Sequence, residues 1–159
     1  MTMVMEREAQ ADYGKPATEQ AWIFQVSPDV FDITELVAGD EAEWPLRQHA
    51  KDVREGDQVI VWLSGKKAGI YALATVLTDP RPVENTLEQQ VRWGSHRSGK
   101  VPPATVLIQY DRVFSDAPYL KTSLVNHALL KDLRVIRLPR ATNFAVSADQ
   151  WAAIRAMIG

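Results

Sequence analysis

The sequence predicts an α+β protein in which short helices flank one curved sheet. Stretches rich in β-branched and aromatic residues recur along the chain, and helical patterns stand between them. These elements neither alternate regularly as βαβ units nor form a run of helices. With 159 residues, 46% of them hydrophobic, the chain is long enough for one domain with a core and short for two.

The folded domain is expected to comprise residues 21–159, preceded by a poorly ordered leader over residues 1–20. The leader has few large apolar side chains and mixes charges with Gly14 and Pro16. It lacks the continuous apolar segment of a signal peptide, and the chain nowhere contains about 18 consecutive apolar residues. A cytoplasmic protein with no membrane contact is therefore expected.

The first predicted strand is "AWIFQVS", which is short, aromatic and β-branched. Alternation places Trp22, Phe24 and Val26 on one face and Ile23 and Gln25 on the other. Both faces therefore carry apolar side chains, as in a strand that is covered on two sides.

Two short helices are predicted to follow this strand. Asp32 and Glu35 have the spacing of a capping box, which predicts a helix that ends near Gly39. "WPLRQHAKDV" is interpreted as a second helical piece with Pro45 in its first turn.

A β-hairpin is the clearest local prediction. "DQVIVWLS" and "GIYALATVLT" are rich in residues that suit a pleated strand. Alternation puts Trp62 on one face of its strand and both its neighbours on the other, so a purely structural core role also fits this residue. The turn contains Ser64, Gly65, Lys66 and Lys67.

The second half of the chain begins with a long polar connection over residues 83–103, which is unusual in a compact domain unless it has a function. "ATVLIQYDRVF" then predicts a strand, "TSLVNHALLKDL" a helix and "RVIRLP" a short strand or extended piece. "SADQWAAIRAMI" predicts a final helix, with a capping box at Ser147 and Gln150 and Trp151 on its apolar stripe.

Composition excludes several functions. The formal net charge of −2 means that any nucleic-acid contact must be local. Without cysteine there is no disulfide and no thiolate nucleophile, and His49, His96 and His127 lack metal-ligand spacing. We therefore expect no metal, no cofactor and no enzymatic activity. A small hydrolase that assembles Ser27, Asp29 and a histidine remains formally open.

Three ordered stretches carry a family resemblance: "AWIFQVSPD", "EWPLRQHAKDVREGDQVIVWLSGKKAGIYALATV" and "ATNFAVSADQWAAI". Together they resemble the EVE domain, particularly its bacterial form, over nearly all of the chain from Trp22 to Ile158. The resemblance implies a PUA-like curved sheet or pseudo-barrel, related to YTH domains. One position departs from the family, because Ala141 stands where glycine is common, and a positive φ there would make this part of the comparison less secure.

The resemblance also implies a function. It is that of a non-catalytic reader that flips a modified base of DNA into an aromatic cage, with 5-methyl- or 5-hydroxymethylcytosine as the expected ligand. The reader would be the specificity module of a modification-dependent restriction system, with a nuclease as partner or fused domain. Two alternatives stay open: a YTH-like reader of modified RNA and a binder of a small heteroaromatic metabolite.

A base pocket needs aromatic plates for stacking and directed groups for the polar edges of the base. Trp44 is the first choice for a cage wall, because it matches the tryptophan that precedes the family's short helix. Asp29 is a candidate acceptor for an exocyclic amine. The residues expected to contact the base are Trp22, Gln25, Ser27, Asp29, Trp44, Trp62, Ser64, Trp93, Thr142 and Asn143.

Local cations are expected to hold the flanking phosphates. Those in the long connection either clamp the nucleic-acid backbone or belong to an unstructured loop, and the sequence favours neither interpretation. The residues expected to contact the backbone are Arg47, Lys66, Lys67, Arg92, His96 and Arg97.

Overall fold

A computed structural model describes residues 20–93 and 100–159. The leader expected over residues 1–20 lies outside the described residues except for Gln20. Within them, the strands are β1 (Ala21–Val26), β2 (Glu41–Leu46), β3 (Gln58–Leu63), β4 (Gly69–Val76), β5 (Arg81–Pro82), β6 (Ala104–Val113), β7 (Tyr119–Leu120) and β8 (Asn143–Val146). The helices are α1 (Leu87–Trp93), α2 (Lys121–Leu124), α3 (Arg134–Arg137) and α4 (Ala148–Ile158).

The strands of the described chain form one mixed sheet in the order β2-β6-β4-β3-β1-β8, with β5 added to β6 and β7 added to β4. β1 and β3 run parallel, and the other pairs are antiparallel. The sheet curls into a half-barrel flanked by the short helices. The predicted α+β class with a curved sheet is therefore confirmed.

The two edge strands of this sheet, β2 and β8, are brought together by a pair of side-chain amides. Asn143 accepts from the N–H groups of Arg47 (2.8 Å) and Gln48 (3.2 Å) and donates to the carbonyl of Pro45 (3.1 Å). Gln48 in turn accepts from the N–H groups of Thr142 (3.0 Å) and Asn143 (2.9 Å). We call Gln48 and Asn143 the amide clasp, because their hydrogen bonds close the seam between two strands that do not pair.

Alternation along the strands produces two hydrophobic cores. The barrel core lies within the curl and includes Trp22, Phe24, Trp44, Val59 and Val61. The helix-side core lies between the sheet and the helices that follow β6, and it includes Ile23, Ile60, Trp62, Leu130, Trp151 and Ile154. The faces predicted for β1 and for the first hairpin strand are confirmed.

The predicted hairpin is formed by β3 and β4. Its turn requires Gly65, whose φ of 98° lies in the left-handed region. A second glycine, Gly69, is required by close approach, because a Cβ there would lie 2.4 Å from the carbonyl oxygen of Tyr119. The hairpin therefore needs two glycines for different physical reasons: Gly65 for the backbone conformation of the turn, and Gly69, the first residue of β4, for the close approach of β7.

The helix predicted for "WPLRQHAKDV" is wrong, since Trp44 and Pro45 belong to strand β2. This strand pairs with β6, and Trp44 and Leu46 both enter the barrel core with a period of two. Pro45 is tolerated because β2 lies at the edge of the sheet. The helix predicted after Asp32 is a single 3-10 turn, Ile33–Glu35.

The helix predicted for "TSLVNHALLKDL" is interrupted. Only α2 and a 3-10 turn, Leu130–Asp132, are helical, because the His127 side chain accepts from the N–H groups of Leu129 (3.0 Å) and Leu130 (3.3 Å). "RVIRLP" contains helix α3 instead of a strand. Val135 is buried in the helix-side core and Ile136 packs against it, whereas Leu138 is exposed.

The final helix is confirmed as α4. Ser147 accepts from the N–H of Gln150 (3.1 Å), and the Gln150 side chain accepts from the N–H of Ser147 (3.2 Å), which completes the predicted capping box. Over the part of the chain that the structure describes, α4 and the other helices are too short to cross a bilayer.

The buried carboxylate of Asp57, which is hydrogen-bonded to Trp22 of β1, makes the stability of the protein depend on pH. Asp57 accepts hydrogen bonds from the indole of Trp22 (2.9 Å) and the N–H of Arg54 (2.9 Å). Burial raises the pKa of Asp57 above its ordinary value, while the hydrogen bonds from Trp22 and Arg54 oppose the rise. Folding therefore favours the protonated form. The contribution of protonated Asp57 to the free energy of unfolding is fully present below its unfolded pKa. It is lost as the pH rises through the pKa that Asp57 has in the folded protein.

Asp57→Asn is expected to raise the free energy of unfolding at about pH 7 and to flatten its change between about pH 4 and pH 7. The asparagine oxygen can accept both hydrogen bonds, and the amide cannot ionise. Urea denaturation at several pH values measures this, with the exposed Asp116→Asn as the matched control. A lower stability of Asp57→Asn at neutral pH would contradict the expectation.

Candidate functional site

A cavity of about 950 Å³ opens at the seam of the half-barrel, beside the amide clasp. The ends of β1 and β3, the edge strand β2 and the segment before β8 contribute to its walls. A volume of this size suits a small molecule or a single nucleotide. The lining residues are 25–27, 30–31, 42–45, 47–48, 64 and 139–142.

Two aromatic side chains, Trp44 and Phe31, line this cavity. Their ring centroids are 5.8 Å apart and their planes meet at 61°. Trp44 is only 5% exposed and also packs against Phe24 in the barrel core, with centroids 6.2 Å apart. Its indole N–H donates to the phenol oxygen of Tyr110 (2.8 Å). Burial raises the pKa of Tyr110, so this phenol stays neutral at physiological pH. The hydrogen bond to Tyr110 and the contact with Phe24 hold the Trp44 ring in one orientation.

The polar part of the lining combines hydroxyls and amides. Ser27, Ser64 and Thr142 contribute hydroxyl groups, and Gln25 and Gln48 contribute amides. Ser27 accepts from the N–H of Asp29 (3.2 Å), which leaves its hydroxyl proton for another acceptor. These groups can satisfy the polar edges of a ring whose faces contact Trp44 or Phe31.

Cations lie in the lining and beside it. Arg47 and Arg140 line the cavity, and Arg47 donates to the carbonyl of Lys100 (2.7 Å). Burial lowers the pKa of Arg47, although a guanidinium remains charged at neutral pH. Lys66 and Lys67 are exposed in the turn after Ser64, which itself lines the cavity. The lining thus contains two guanidinium groups and the carboxylate of Glu43, and two further cations lie in the neighbouring turn.

Half of the residues expected to contact a base lie at this cavity. The structure brings together Gln25, Ser27, Trp44, Ser64 and Thr142, although they come from four separate parts of the sequence. Arg47, expected to contact the nucleic-acid backbone, lies with them. Their contact with a ligand stays a prediction.

Three tryptophans expected to contact the base do not line the cavity. The aromatic side chains that line it are Trp44 and Phe31. Trp22 is 3% exposed in the barrel core and is bonded to Asp57, while Trp62 is 2% exposed in the helix-side core. Trp93 is buried on α1, where its indole donates to Gln89 (3.0 Å). Each is sequestered by packing that the sequence pattern alone does not distinguish from a cavity wall.

The remaining predicted residues divide into four groups. Asn143 is 1% exposed and acts within the amide clasp, so it shapes the wall without lining it. Asp29 is exposed and lines an adjoining depression over residues 28–33, which shares Val30 and Phe31 with the cavity. Arg92 forms an ion pair with Glu43, which itself lines the cavity. His96 and Arg97 lie outside the described residues.

Sequence reasoning missed Phe31, Glu43, Gln48 and Arg140, all of which line the cavity. Phe31 stood within a stretch interpreted as the approach to a helix, and Gln48 within a predicted helix. Ala141 also lines the cavity, and its φ is not positive, since His49 is the only described non-glycine residue in the left-handed region. The departure from glycine at this position therefore causes no backbone strain.

The described residues contain no group of three or more histidine, aspartate and glutamate side chains able to hold a metal ion. Neither His49 nor His127 lines the cavity with Ser27. The arrangement is that of a binding pocket with aromatic, amide and cationic groups.

These features define a PUA-like α+β domain with a pocket at the seam of its half-barrel. The EVE domain family matches residues 20–157, and the chain belongs to this family. A comparison with curated proteins finds no match.

Solved structures share the fold. A hypothetical protein from Leishmania major is 21% identical, with a TM-score of 0.70 over 89% of this chain and 95% of that chain. A Pseudomonas syringae protein is 22% identical, with a TM-score of 0.67 over 86% of this chain and 98% of that chain. Human THYN1 protein, solved in complex with 5-methylcytosine-containing DNA, is 14% identical, with a TM-score of 0.67 over 87% of this chain and 97% of that chain.

Proposed function

We propose that this protein is a non-catalytic reader of modified cytosine, 5-methyl- or 5-hydroxymethylcytosine, in DNA. The target base is flipped out of the duplex into the seam cavity. The observation that carries the proposal is one cavity that combines the Trp44 and Phe31 rings, directed polar groups and cations. The human THYN1 complex with 5-methylcytosine-containing DNA supports it through the shared fold.

The cavity suits the chemistry of an extruded base. A flipped base loses its stacking and pairing partners, at a cost of a few kcal/mol, and a pocket must replace both. Trp44 and Phe31 supply apolar surface for the ring, while the hydroxyls and amides supply donors and acceptors for its edges. The barrel core holds Trp44, so little order must be gained on binding.

The cations extend the proposed contact to the nucleic-acid backbone. In the proposed complex, phosphates that flank the flipped nucleotide are bound by Arg47 and Arg140, which line the cavity, and by Lys66 and Lys67, which are exposed in the hairpin turn. Because the net charge of the chain is −2, this attraction is local to the mouth.

The proposal includes a biological context: the reader is the specificity module of a modification-dependent restriction system. A nuclease, as partner or fused domain, supplies cleavage. Transformation of cells that carry both proteins with modified and unmodified plasmid tests this, and loss of the modified plasmid alone is expected. Equal recovery of both plasmids would contradict the context without contradicting the binding.

Fluorescence anisotropy with matched oligonucleotides tests the binding. We expect tighter binding to a duplex with 5-methyl- or 5-hydroxymethylcytosine than to one with cytosine or N6-methyladenine, weakening as salt rises. Preference for modified single-stranded RNA would instead indicate a YTH-like reader. Equal weak binding of every oligonucleotide would contradict nucleic-acid reading and favour a small heteroaromatic metabolite.

Lys66→Ala combined with Lys67→Ala is expected to weaken modified and unmodified duplexes alike, by about tenfold at low salt. Two lost phosphate contacts should reduce the slope of log affinity against log salt by about 2. Anisotropy over a salt series measures both, with Lys131→Ala on the helix-covered side as control. A change confined to the preference between duplexes would show that these lysines do not bind phosphate.

A further inference from the structure

We infer that Gln48 and Gln25 read the hydrogen-bonding edge of the bound base as a fixed pair, in which Gln48 presents a donor and Gln25 an acceptor. This inference rests on the proposed function and names the chemical class of base that the cavity takes. Both residues line the cavity, from opposite sides of the seam.

The orientation of the Gln48 amide is set by the clasp. Its Oε1 faces two donors, the N–H groups of Thr142 (3.0 Å) and Asn143 (2.9 Å). Only oxygen can occupy that position, because an NH₂ group would set its hydrogens against two N–H groups. The Nε2 of Gln48 is therefore the end that points away from the clasp.

The Gln25 amide has the opposite orientation for the same reason. Its Nε2 donates to the carbonyls of Pro139 (3.0 Å) and Ala141 (2.7 Å), where an oxygen would be repelled. The backbone N–H of Gln25 also donates to the carbonyl of Thr142 (2.7 Å), which fixes the strand against the same segment. The Oε1 of Gln25 is therefore the free end.

Both free ends are accessible to a ligand. Over residues 20–93 and 100–159, neither the Nε2 of Gln48 nor the Oε1 of Gln25 has a hydrogen-bond partner. In the same residues, the only buried side-chain nitrogen or oxygen without a partner is Nε1 of Trp151. The two amide ends are thus unpartnered without being buried, and both residues line the cavity.

The inference places both free ends on one edge of the base, where an acceptor and a donor complement an exocyclic amine next to an unprotonated ring nitrogen. Cytosine has this edge: N4–H can donate to Gln25, and N3 can accept from Gln48. Thymine has the reverse edge, with O4 as an acceptor and N3–H as a donor. In the same pose it would meet like groups at both positions, and unpaired polar groups in a pocket strongly reject a ligand.

A substituent at C5 of cytosine leaves this edge unchanged. The amide pair therefore selects cytosine over thymine, and other parts of the cavity must recognise the modification and exclude adenine, whose N6 amine and N1 present the same edge. 5-Methylcytosine and thymine both carry a methyl group at C5 and differ only along this edge. A comparison of these two bases isolates the contribution of the amides.

Gln48→Glu is the sharpest variant. One carboxylate oxygen can keep both hydrogen bonds of the clasp, while the other replaces the free donor with an acceptor. The experiment uses the full chain and duplexes with 5-methylcytosine, thymine or cytosine opposite an abasic site, so that unpairing costs the three bases little. We expect the wild-type protein to prefer 5-methylcytosine to thymine, and the variant to lose at least about tenfold of that preference.

Two further measurements keep the result interpretable. The melting temperature of Gln48→Glu should stay within about 4 °C of the wild-type value, in contrast to Gln48→Ala, which removes the clasp acceptor. If Gln48→Glu does not fold, a duplex with 3-deaza-5-methylcytosine, which lacks the N3 acceptor, should bind the wild-type protein at least about tenfold more weakly.

The failure of this inference can be told from the failure of the proposed function. If the wild-type protein prefers 5-methylcytosine to cytosine but Gln48→Glu keeps the wild-type preference over thymine, the amide pair is refuted and the reader stands. If 5-methylcytosine and cytosine bind alike, and the variant still changes the preference over thymine, the pair stands without modification reading. If neither difference appears, both are overturned.

Discussion

Trp44→Ala should abolish discrimination between modified and unmodified duplexes and lower the free energy of unfolding by about 3–5 kcal/mol. The indole is 5% exposed, forms part of the barrel core and donates to Tyr110 (2.8 Å). Truncation therefore removes a cavity wall, opens a void in the core and leaves the Tyr110 phenol without this partner. The two losses arise together because one residue serves both the core and the site.

Trp44→Leu separates the two effects, because leucine fills part of the core without supplying an aromatic plate. Urea denaturation gives the stability, and anisotropy with modified and unmodified duplexes gives the discrimination. Trp62→Leu is the matched control, since Trp62 is 2% exposed in the helix-side core and away from the cavity. Normal discrimination by Trp44→Leu would remove Trp44 from the proposed site.

Asn143→Ala is expected to be as damaging, with a loss of about 3–5 kcal/mol of stability and weaker binding of every duplex. Asn143 is 1% exposed, and its amide satisfies the N–H groups of Arg47 and Gln48 and the carbonyl of Pro45. Alanine leaves these three groups without their partner at the seam. The edge strands then lose half of the clasp, and the cavity walls on each side lose their relative positions.

Thermal denaturation and anisotropy of Asn143→Ala measure these effects, with the exposed Asn126→Ala as the matched control. Asn143→Asp provides a graded case. Its carboxylate can still accept from the N–H groups of Arg47 and Gln48, but it cannot donate to Pro45 and sets a negative charge against that carbonyl. Wild-type stability and binding for Asn143→Ala would show that the clasp does not hold the seam.

The sequence predicted those elements whose signal is local. The alternation in "AWIFQVS" and "DQVIVWLS" predicted which residues face each core, and the Ser147–Gln150 capping box predicted the start of α4. The segment that contains Trp44 was misread because Pro45 and short apolar spacing suit a helical first turn as well as an edge strand. Pairing with β6, more than 50 residues away, decided between them.

At the site, Trp44 shows the same difference between what the local sequence predicts and what the tertiary packing decides. The family resemblance made Trp44 the first choice for a cage wall, and Trp44 lines the cavity, but Trp22 and Trp62 carry equally suitable rings. All three rings are buried, and only their positions separate them: Trp44 lines the cavity, whereas Trp22 and Trp62 lie inside the two cores. Local sequence has no signal for this difference in position.

The sequence by itself determined the class of fold, the family, most strands and the final helix. It also selected ten candidate base contacts, of which half line the cavity. The tertiary structure decided which tryptophan faces the cavity, that Gln48 and Asn143 close the seam, and which ends of Gln25 and Gln48 stay free. The physical reason is the range of the interactions. Alternation and capping act over a few residues, whereas the clasp joins positions about 95 residues apart that meet only because the sheet curls.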